Sequence, residues 1–161
     1  MEKLKIYTDG ACKNNPGPGG WAAVLLYGNK RKEISGFVAS TTNNRMELQA
    51  AIEGLKAVNN SPLATKGWQP QADGVVLKIE LYSDSAYLVN AVTQGWLEKW
   101  QNNYWRTADQ ASVKNQDLWR ELIEFNKKYS PTYIKVKGHS DNEHNNRADE
   151  LAVDAIKKNK V

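Results

Sequence analysis

The stretch KLKIYTDGACKNNPGPGGWAAVLLY, residues 3–27, sets the expected fold. Its first six residues, Lys3–Thr8, alternate between polar and apolar side chains, which is typical of a half-buried strand. The asparagine, glycine and proline cluster at Asn14–Gly20 predicts a loop. The apolar run Trp21–Tyr27 and the following Glu33–Ala39 predict two strands joined as a hairpin. The chain therefore begins with three consecutive strands, which we expect to pair as an antiparallel meander.

Beyond this meander the hydrophobic period becomes helical from Asn44, and Thr42 or Asn43 can cap the helix start. A long loop is predicted over Asn59–Gly74, which contains two prolines and two glycines and no periodicity. Further strands are predicted at Val75–Ser83 and Tyr133–Val136, and helices at Ser85–Gln94, Gly95–Tyr104, Asn115–Lys127 and Asn145–Lys158. The order βββαβα(α)αβα predicts an α/β fold in which helices cover a mixed five-stranded sheet.

The length and composition favour a single globular domain and disfavour disulfide-rich and membrane-spanning proteins. The chain has 161 residues, 40% of them apolar, which predicts a single domain over residues 1–161. Its one cysteine, Cys12, cannot form an internal disulfide. The longest apolar run is too short to span a bilayer, and the first residues lack a signal-peptide pattern, so we expect a cytoplasmic protein with no membrane partner. A net charge of +4 permits a polyanionic partner without requiring one.

Two acidic residues stand at the ends of predicted strands. Asp9 follows the first strand and Asp84 follows the fourth, where the side chains of α/β proteins point into the ligand-binding crevice. Each also has a structural alternative, because Asp9 could open a turn with Gly10 and Asp84 could cap the next helix. These two positions are therefore candidate functional sites with competing explanations.

Two further acidic residues lie on helices beside small or apolar neighbours. Glu47 is followed on its own helix face by Ala50, Ala51 and Gly54, so this face can pack closely on the sheet and carry Glu47 to the strand ends. Asp149 borders the apolar stripe of the last helix. The alternatives are a favourable interaction of Glu47 with the helix dipole and a solvated Asp149.

Together these four carboxylates predict a metal site. Like charges brought together repel one another unless a cation neutralises them, and hard divalent cations, Mg²⁺ above all, prefer oxygen ligands. Two such ions sharing an acid would clamp a phosphodiester and activate water for in-line attack. Zinc is disfavoured because the two histidines, His139 and His144, belong to no Cys/His cluster. Cys12 is a weak nucleophile candidate, since no histidine lies near it in sequence.

Five motifs, in order along the chain, resemble the type 1 ribonuclease H family of bacterial type. They are Thr8–Cys12 with Asn15–Trp21, Thr41–Leu48, Ser83–Ser85, Lys137–His139 and Asn145–Ala152, within a match over about residues 4–157. The resemblance implies a ribonuclease H-like fold and an endoribonuclease that cleaves the RNA strand of RNA–DNA hybrids. It also implies two Mg²⁺ ions per site, with Mn²⁺ as a substitute, and we expect a monomer.

The same resemblance assigns roles to individual residues. Asp9 would bridge both metals, with Asp149 at the water-activating ion and Glu47 and Asp84 at the other. His139 would assist the catalytic cycle from a mobile loop. Substrate contacts fall to Asn15 and Asn43, which would meet ribose 2′-hydroxyls, and to Thr42 and Trp105, which would help seat the DNA strand. Both asparagines can also serve in turns and caps.

The chain departs from the family pattern at three places. Gln101–Tyr104 stands where relatives often carry lysines and arginines, which predicts a shallow salt dependence of hybrid binding. The Asn59–Gly74 loop is longer than in compact members, and Asn146 replaces a glutamate common in relatives. Two alternatives to the hybrid nuclease remain: a catalytically silent hybrid-binding module, and a related metal-dependent nuclease or strand-transfer domain. The four carboxylates argue against the silent module.

Overall fold

A five-stranded mixed sheet with the strand order β3-β2-β1-β4-β5 carries the fold in this computed structural model. The structure describes residues 3–60, 78–138 and 142–159. Its strands are β1 (Lys3–Cys12), β2 (Gly17–Tyr27), β3 (Lys30–Thr41), β4 (Lys78–Ser83) and β5 (Thr132–Lys135). Its helices are α1 (Asn43–Asn60), α2 (Ala86–Thr93), α3 (Trp96–Asn102), α4 (Gln116–Tyr129) and α5 (Glu143–Lys158). The predicted α/β order is confirmed.

Strand direction changes at β1, in the middle of the sheet. β1 pairs antiparallel with β2, and β2 pairs antiparallel with β3, which confirms the predicted meander. On its other side β1 pairs parallel with β4, and β4 pairs parallel with β5. The carboxyl ends of these three parallel neighbours therefore lie at one edge of the sheet.

The glycine-rich segment is partly strand, so the prediction of a loop as far as Gly20 was wrong. β2 begins at Gly17, and Gly19 and Gly20 pair with Cys12 and Ala11, which also extends β1 beyond the predicted end at Thr8. A Cβ atom on Gly20 would lie 2.2 Å from the Ala152 carbonyl oxygen. Glycine is needed here because α5 lies directly against the strand, a tertiary reason that local composition does not reveal.

The two faces of the sheet are covered differently. The predicted apolar stripe of α1 is buried against β1 and β2, and α4 packs outside α1. On the opposite face α5 packs across β1, β2 and β3 through small side chains. The buried stripe of α1 consists of Leu48, Ala51, Ile52, Leu55 and Val58, and that of α5 of Ala148, Ala152 and Ala155. Within the described residues, no helix has the length and hydropathy needed to cross a membrane.

Three helices begin with a side-chain cap. Thr42 Oγ1 accepts a hydrogen bond from the Arg45 amide at 3.2 Å, and Asn142 Oδ1 accepts one from the Asn145 amide at 3.0 Å. Ser85 caps α2 in the same way, and this bears on Asp84 below. Asn115 was predicted to cap the next helix, but α4 begins at Gln116, the Asn115 backbone is left-handed and its side chain makes no cap bond.

Two parts of the prediction lie outside the described residues. The predicted loop begins at Asn59, whereas α1 continues to Asn60 and the described chain resumes at Lys78. His139 falls in the second gap, before α5.

Candidate active site

Three carboxylates far apart in the sequence meet at the edge of the sheet. One oxygen from each of Asp9, Glu47 and Asp84 lies within 4.8 Å of the other two. Asp9 and Glu47 are each only 5% exposed. The residues come from β1, from α1 and from the position after β4, so the fold assembles a cluster that no local sequence motif contains.

Strand register explains why Asp9 and Asp84 are neighbours. The parallel pairing of β1 with β4 ends where Tyr7 faces Tyr82, and each aspartate lies two residues beyond that pair. Asp9 does not end its strand as expected, because β1 continues to Cys12 along β2 alone. Both side chains therefore lie where the parallel pairing stops, the ordinary location of an α/β ligand crevice.

Close packing of α1 on β1 brings Glu47 to the same place. A Cβ atom on Gly10 would lie 2.5 Å from the Glu47 amide nitrogen, so the helix backbone rests directly on this glycine. The Gly10 amide donates a hydrogen bond to Oε1 of Glu47. The expectation that small residues let this helix face approach the sheet is supported, since Ala50 and Ala51 are fully buried.

The structural alternative for Asp84 does not hold. The cap of α2 is Ser85, whose hydroxyl accepts a hydrogen bond from the Leu88 amide at 3.1 Å. The Asp84 carboxylate faces the cleft instead, and Gly138 approaches it so closely that an added Cβ would lie 3.0 Å from Oδ2. The Lys137–His139 motif therefore reaches the site through its glycine.

Burial and mutual repulsion shift the titration of this cluster. Burial, then the neighbouring charge of Asp84, raises the pKa of Asp9 from 3.8 to about 8. Burial, then the charge of Asp9, raises the pKa of Glu47 well above its usual value. Asp9 and Glu47 thus favour a retained proton over full ionisation when no cation is present. Clustered oxygen donors with this unbalanced charge fit a hard divalent cation.

Asp149 faces the same cleft from α5 but is not part of the tight cluster. It lies in the second turn of α5, because the helix begins at Glu143 and not at Asn145. Asp149 also contributes to the raised pKa of Asp9, and both carboxyl groups line the same cleft. The cleft has a volume of about 530 Å³, and its lining includes Asp9, Cys12, Asn43, Glu47, Asp84, Tyr87 and Asp149.

The predicted RNA-contacting residues meet beside this cleft. Asn15 Oδ1 accepts a hydrogen bond from the Asn43 amide at 2.9 Å, joining the turn before β2 to the start of α1. Asn43 lines the cleft, and Thr42 caps the same helix. Asn15 and Thr42 therefore stabilise the turn and the helix start, and they do so beside the cleft where a substrate contact is predicted.

Trp105 lies in the core and not on an open surface. Its side chain is 8% exposed, with the Trp100 ring centroid 6.5 Å away and the Arg120 guanidinium carbon 4.5 Å from the ring centroid. Stacking of a base on its face does not fit this burial. Trp105 can reach a DNA strand only through its exposed edge or through neighbours that it supports.

A shallow groove beside Trp105 holds the aromatic side chains and the few basic ones that the sequence indicates around Gln101–Tyr104, although Trp96 and Trp100 were not named there as substrate contacts. Its volume is about 350 Å³, and it is lined by Trp96, Lys99, Trp100, Asn103, Arg106, Thr107 and Ala108. The available signal was the alternation of tryptophans with basic residues over 96–106. At the adjoining tip, Tyr104 is 87% exposed.

The model of the RNase H family matches residues 1–157 of this chain. The chain belongs to the RNase H family. It is 57% identical over 157 residues to a Ribonuclease H of Caldanaerobacter subterraneus subsp. tengcongensis, covering 98% of this chain and 93% of that one. It is 53% identical over 159 residues to a Ribonuclease H of Acetivibrio thermocellus, covering 99% and 98%. The resemblance found in the sequence is confirmed, and the protein is a hydrolase of the ribonuclease H class.

Solved structures of the RNase H family agree with the fold. LC9-RNase H1, described as a type 1 RNase H with the type 2 active-site motif, superposes with a TM-score of 0.78 at 25% identity over 98% of this chain and 74% of that one. LC11-RNase H1, solved in complex with an RNA/DNA hybrid, superposes with a TM-score of 0.70 at 24% identity over 97% and 98%. The predicted ribonuclease H-like fold is therefore confirmed.

Proposed function

We propose that this protein is an endoribonuclease that hydrolyses the RNA strand of RNA–DNA hybrids with the help of divalent metal ions. The observation that carries the proposal is the cluster of Asp9, Glu47 and Asp84 in the cleft of an RNase H family chain. A protein that only binds nucleic acid gains nothing from burying like charges, which cost free energy unless a cation compensates them. The cluster therefore supports catalysis over silent binding.

The four carboxylates would hold the metal. Asp9, at the centre, would be shared between two ions, with Glu47 and Asp84 on one side and Asp149 on the other. When bound, Mg²⁺, or Mn²⁺ in its place, polarises the phosphodiester and lowers the pKa of a water molecule so that it can attack in line. Oxygen donors without sulfur or imidazole in the described cluster suit these ions better than zinc.

Residues around the carboxylates fix their orientation. The Gly10 amide donates a hydrogen bond to one oxygen of Glu47. Because Ser85 caps α2, the Asp84 carboxylate is not used as a helix cap and can bind a metal. The side chains therefore have defined positions before the substrate arrives. Such pre-organisation is the protein's main contribution to metal-dependent phosphoryl chemistry.

Recognition of RNA would fall to Asn15 and Asn43 beside the cleft. Their hydrogen bond fixes the two residues relative to each other and to Glu47 on the same helix. The ribose 2′-hydroxyl both donates and accepts hydrogen bonds, as amide side chains do, and it is the group that distinguishes RNA from DNA. Thr42 and Trp105 would help seat the DNA strand, and His139 would assist proton transfer or product departure.

A cleavage assay separates this function from its alternatives. End-labelled RNA–DNA hybrid, duplex RNA and duplex DNA are incubated with the protein in Mg²⁺, and in parallel with a chelator. The proposal predicts cuts only in the RNA strand of the hybrid, and only with the metal. Hybrid binding without cleavage would identify the silent module, whereas cleavage or joining of DNA would identify the related nuclease or strand-transfer domain.

We further propose that the protein is a monomer, that it forms a single domain, and that it is located in the cytoplasm.

A further inference from the structure

An ion pair with two parallel hydrogen bonds joins α5 to the edge of the sheet. Arg147 on α5 donates from Nε to Glu33 Oε2 at 3.0 Å and from Nη2 to Glu33 Oε1 at 3.1 Å. Glu33 lies on β3, the outermost strand. Two parallel bonds between guanidinium and carboxylate fix direction as well as distance, which a single bond does not do.

Two arginines hold Glu33 in its ionised form. Arg31, on the same strand, also donates to Glu33 Oε2, from Nη2 at 2.7 Å. Hydrogen bonds from Arg147, then from Arg31, lower the pKa of Glu33 to about 2. Both partners of the Arg147–Glu33 pair are therefore charged at neutral pH.

The small side chains of the buried α5 stripe allow the helix to approach the sheet closely but do little to set its register. Its buried stripe is Ala148, Ala152 and Ala155, and the Ala152 carbonyl rests on the bare backbone of Gly20. Helix packing geometry is normally set by larger side chains that insert between those of the partner. Methyl groups on a glycine-containing strand interlock little; larger side chains of α5 also meet the sheet, namely His144 against Tyr7, Leu151, and Ile156 beside Gly20. The directional Arg147–Glu33 pair is thus well placed to stop α5 from sliding or rotating.

Asp149 moves with this helix. It follows Arg147 by two residues, which is about 3 Å along the helix axis and on the opposite side of it. A rotation or shift of α5 therefore changes the distance between Asp149 and Asp9 directly. We infer that Arg147, held by Glu33, is a positioning residue that fixes α5 so that Asp149 faces the metal-binding carboxylates. The inference rests on the proposed metal role of Asp149.

The test measures metal binding without substrate or turnover. Mn²⁺ is titrated calorimetrically into the parent and into the Arg147→Ala, Arg31→Ala and Asp149→Asn variants. Arg31→Ala is the matched control, because it removes the same charge and also breaks a bond to Glu33 but leaves α5 tied to β3. Glu33→Gln removes the charge of the strand partner while conserving its shape. This variant replaces Arg147→Ala in the test if Arg147→Ala folds poorly. The double variant Arg147→Ala/Glu33→Gln measures their coupling.

Arg147→Ala and Glu33→Gln should each weaken Mn²⁺ binding about tenfold, the lower end of the effect of removing groups that orient ligands. The double variant should be no weaker than either single variant, Arg147→Lys should bind with intermediate affinity, and Arg31→Ala should bind like the parent. If Arg147→Ala and Arg31→Ala bind Mn²⁺ with equal affinity while Asp149→Asn binds it more weakly, the inference about Arg147 is overturned and the proposed metal role of Asp149 stands. Parent-like binding by Asp149→Asn would overturn the metal role of Asp149 and the inference with it.

Discussion

The backbone amide of Gly10 donates a hydrogen bond to the Glu47 carboxylate, and the Gly10 backbone lies directly against the helix that carries Glu47. β1 and α1 are thus joined at the carboxylate cluster itself. Because Asp9 precedes Gly10 in the strand, this contact fixes the spacing between two of the proposed metal ligands. Any change that separates strand from helix here should disturb the cluster before it disturbs the core.

Replacement of Gly10 by alanine tests this contact. The added Cβ would lie 2.5 Å from both the Glu47 nitrogen and the Met46 carbonyl carbon, so α1 must move outward. We expect a loss of about 1–3 kcal/mol in the free energy of unfolding, which is typical of overpacking, and a larger proportional loss of Mg²⁺-dependent cleavage. Urea unfolding and hybrid cleavage measure the two effects. Unchanged stability and activity in Gly10→Ala would show that the contact constrains neither.

The raised pKa of Asp9 predicts how stability changes with pH in metal-free protein. Between about pH 4 and pH 8 the folded state holds a proton on this group that the unfolded state has released. Its contribution to stability is therefore present at low pH and lost as the pH rises toward 8. Asp9→Asn should gain stability relative to the parent over that range, as measured by urea unfolding in a chelator.

The control for this measurement is Asp154→Asn, which changes an acid on α5 that does not line the cleft. Its stability relative to the parent should stay level between pH 5 and pH 8. A flat difference between parent and Asp9→Asn would contradict the protonated state deduced for the metal-free cluster.

Trp105 and Trp96 should affect different properties. Because Trp105 is buried against Trp100 and Arg120, Trp105→Ala should lower the free energy of unfolding by about 3–5 kcal/mol. Trp96 lines the groove with Lys99 and Arg106, so Trp96→Ala should chiefly weaken hybrid binding, by about tenfold if one stacking contact is lost. Thermal unfolding and hybrid binding by anisotropy distinguish the two. Parent-like hybrid affinity of folded Trp105→Ala would refute its predicted contribution to DNA binding.

His139, outside the described residues, remains a prediction from the sequence. Imidazole titrates near neutral pH and is a poor Mg²⁺ ligand, so His139→Ala should keep its metals and lose about 10²–10⁴ in cleavage rate, with little change in KM. His144→Ala is the matched control, because this ring packs against Tyr7 at a centroid distance of 5.1 Å and has a structural setting. Unchanged steady-state activity of His139→Ala from pH 6 to pH 9 would leave it without a catalytic role.

The sequence predicted those features of the fold that depend on local pattern. The apolar period of α1 and the alternation of polar and apolar residues in β1 predict which face of each element is buried. Both predictions agree with the structure. The strand pairing of Gly19 and Gly20 was missed, because it depends on β1 alongside and, at Gly20, on the close approach of the Ala152 carbonyl of α5. Composition alone does not distinguish a glycine needed for a turn from one needed for close packing.

The candidate site was predictable as a set of residues but not as a geometry. The positions of Asp9 and Asp84 relative to their strands pointed to the crevice, and the register of β1 with β4 then placed them side by side. Whether Asp84 or Ser85 caps α2 depends on a single hydrogen bond that either residue type could make. The burial of Trp105 likewise depends on packing against Trp100 of α3 and Arg120 of α4, which spacing does not show.

Hybrid cleavage by the four amide variants, compared with two control variants, tests the central claim most directly. The amide variants keep the side-chain shape but lose the charge that would hold Mg²⁺; they are Asp9→Asn, Glu47→Gln, Asp84→Asn and Asp149→Asn. The controls change acidic residues outside the cleft; they are Glu53→Gln on α1 and Asp154→Asn on α5. Loss of several kcal/mol of metal assistance predicts rates at least about 10³-fold below the parent for the four, with near-parent rates for the controls. Near-normal cleavage by Asp9→Asn, Glu47→Gln or Asp84→Asn would contradict the carboxylate metal site.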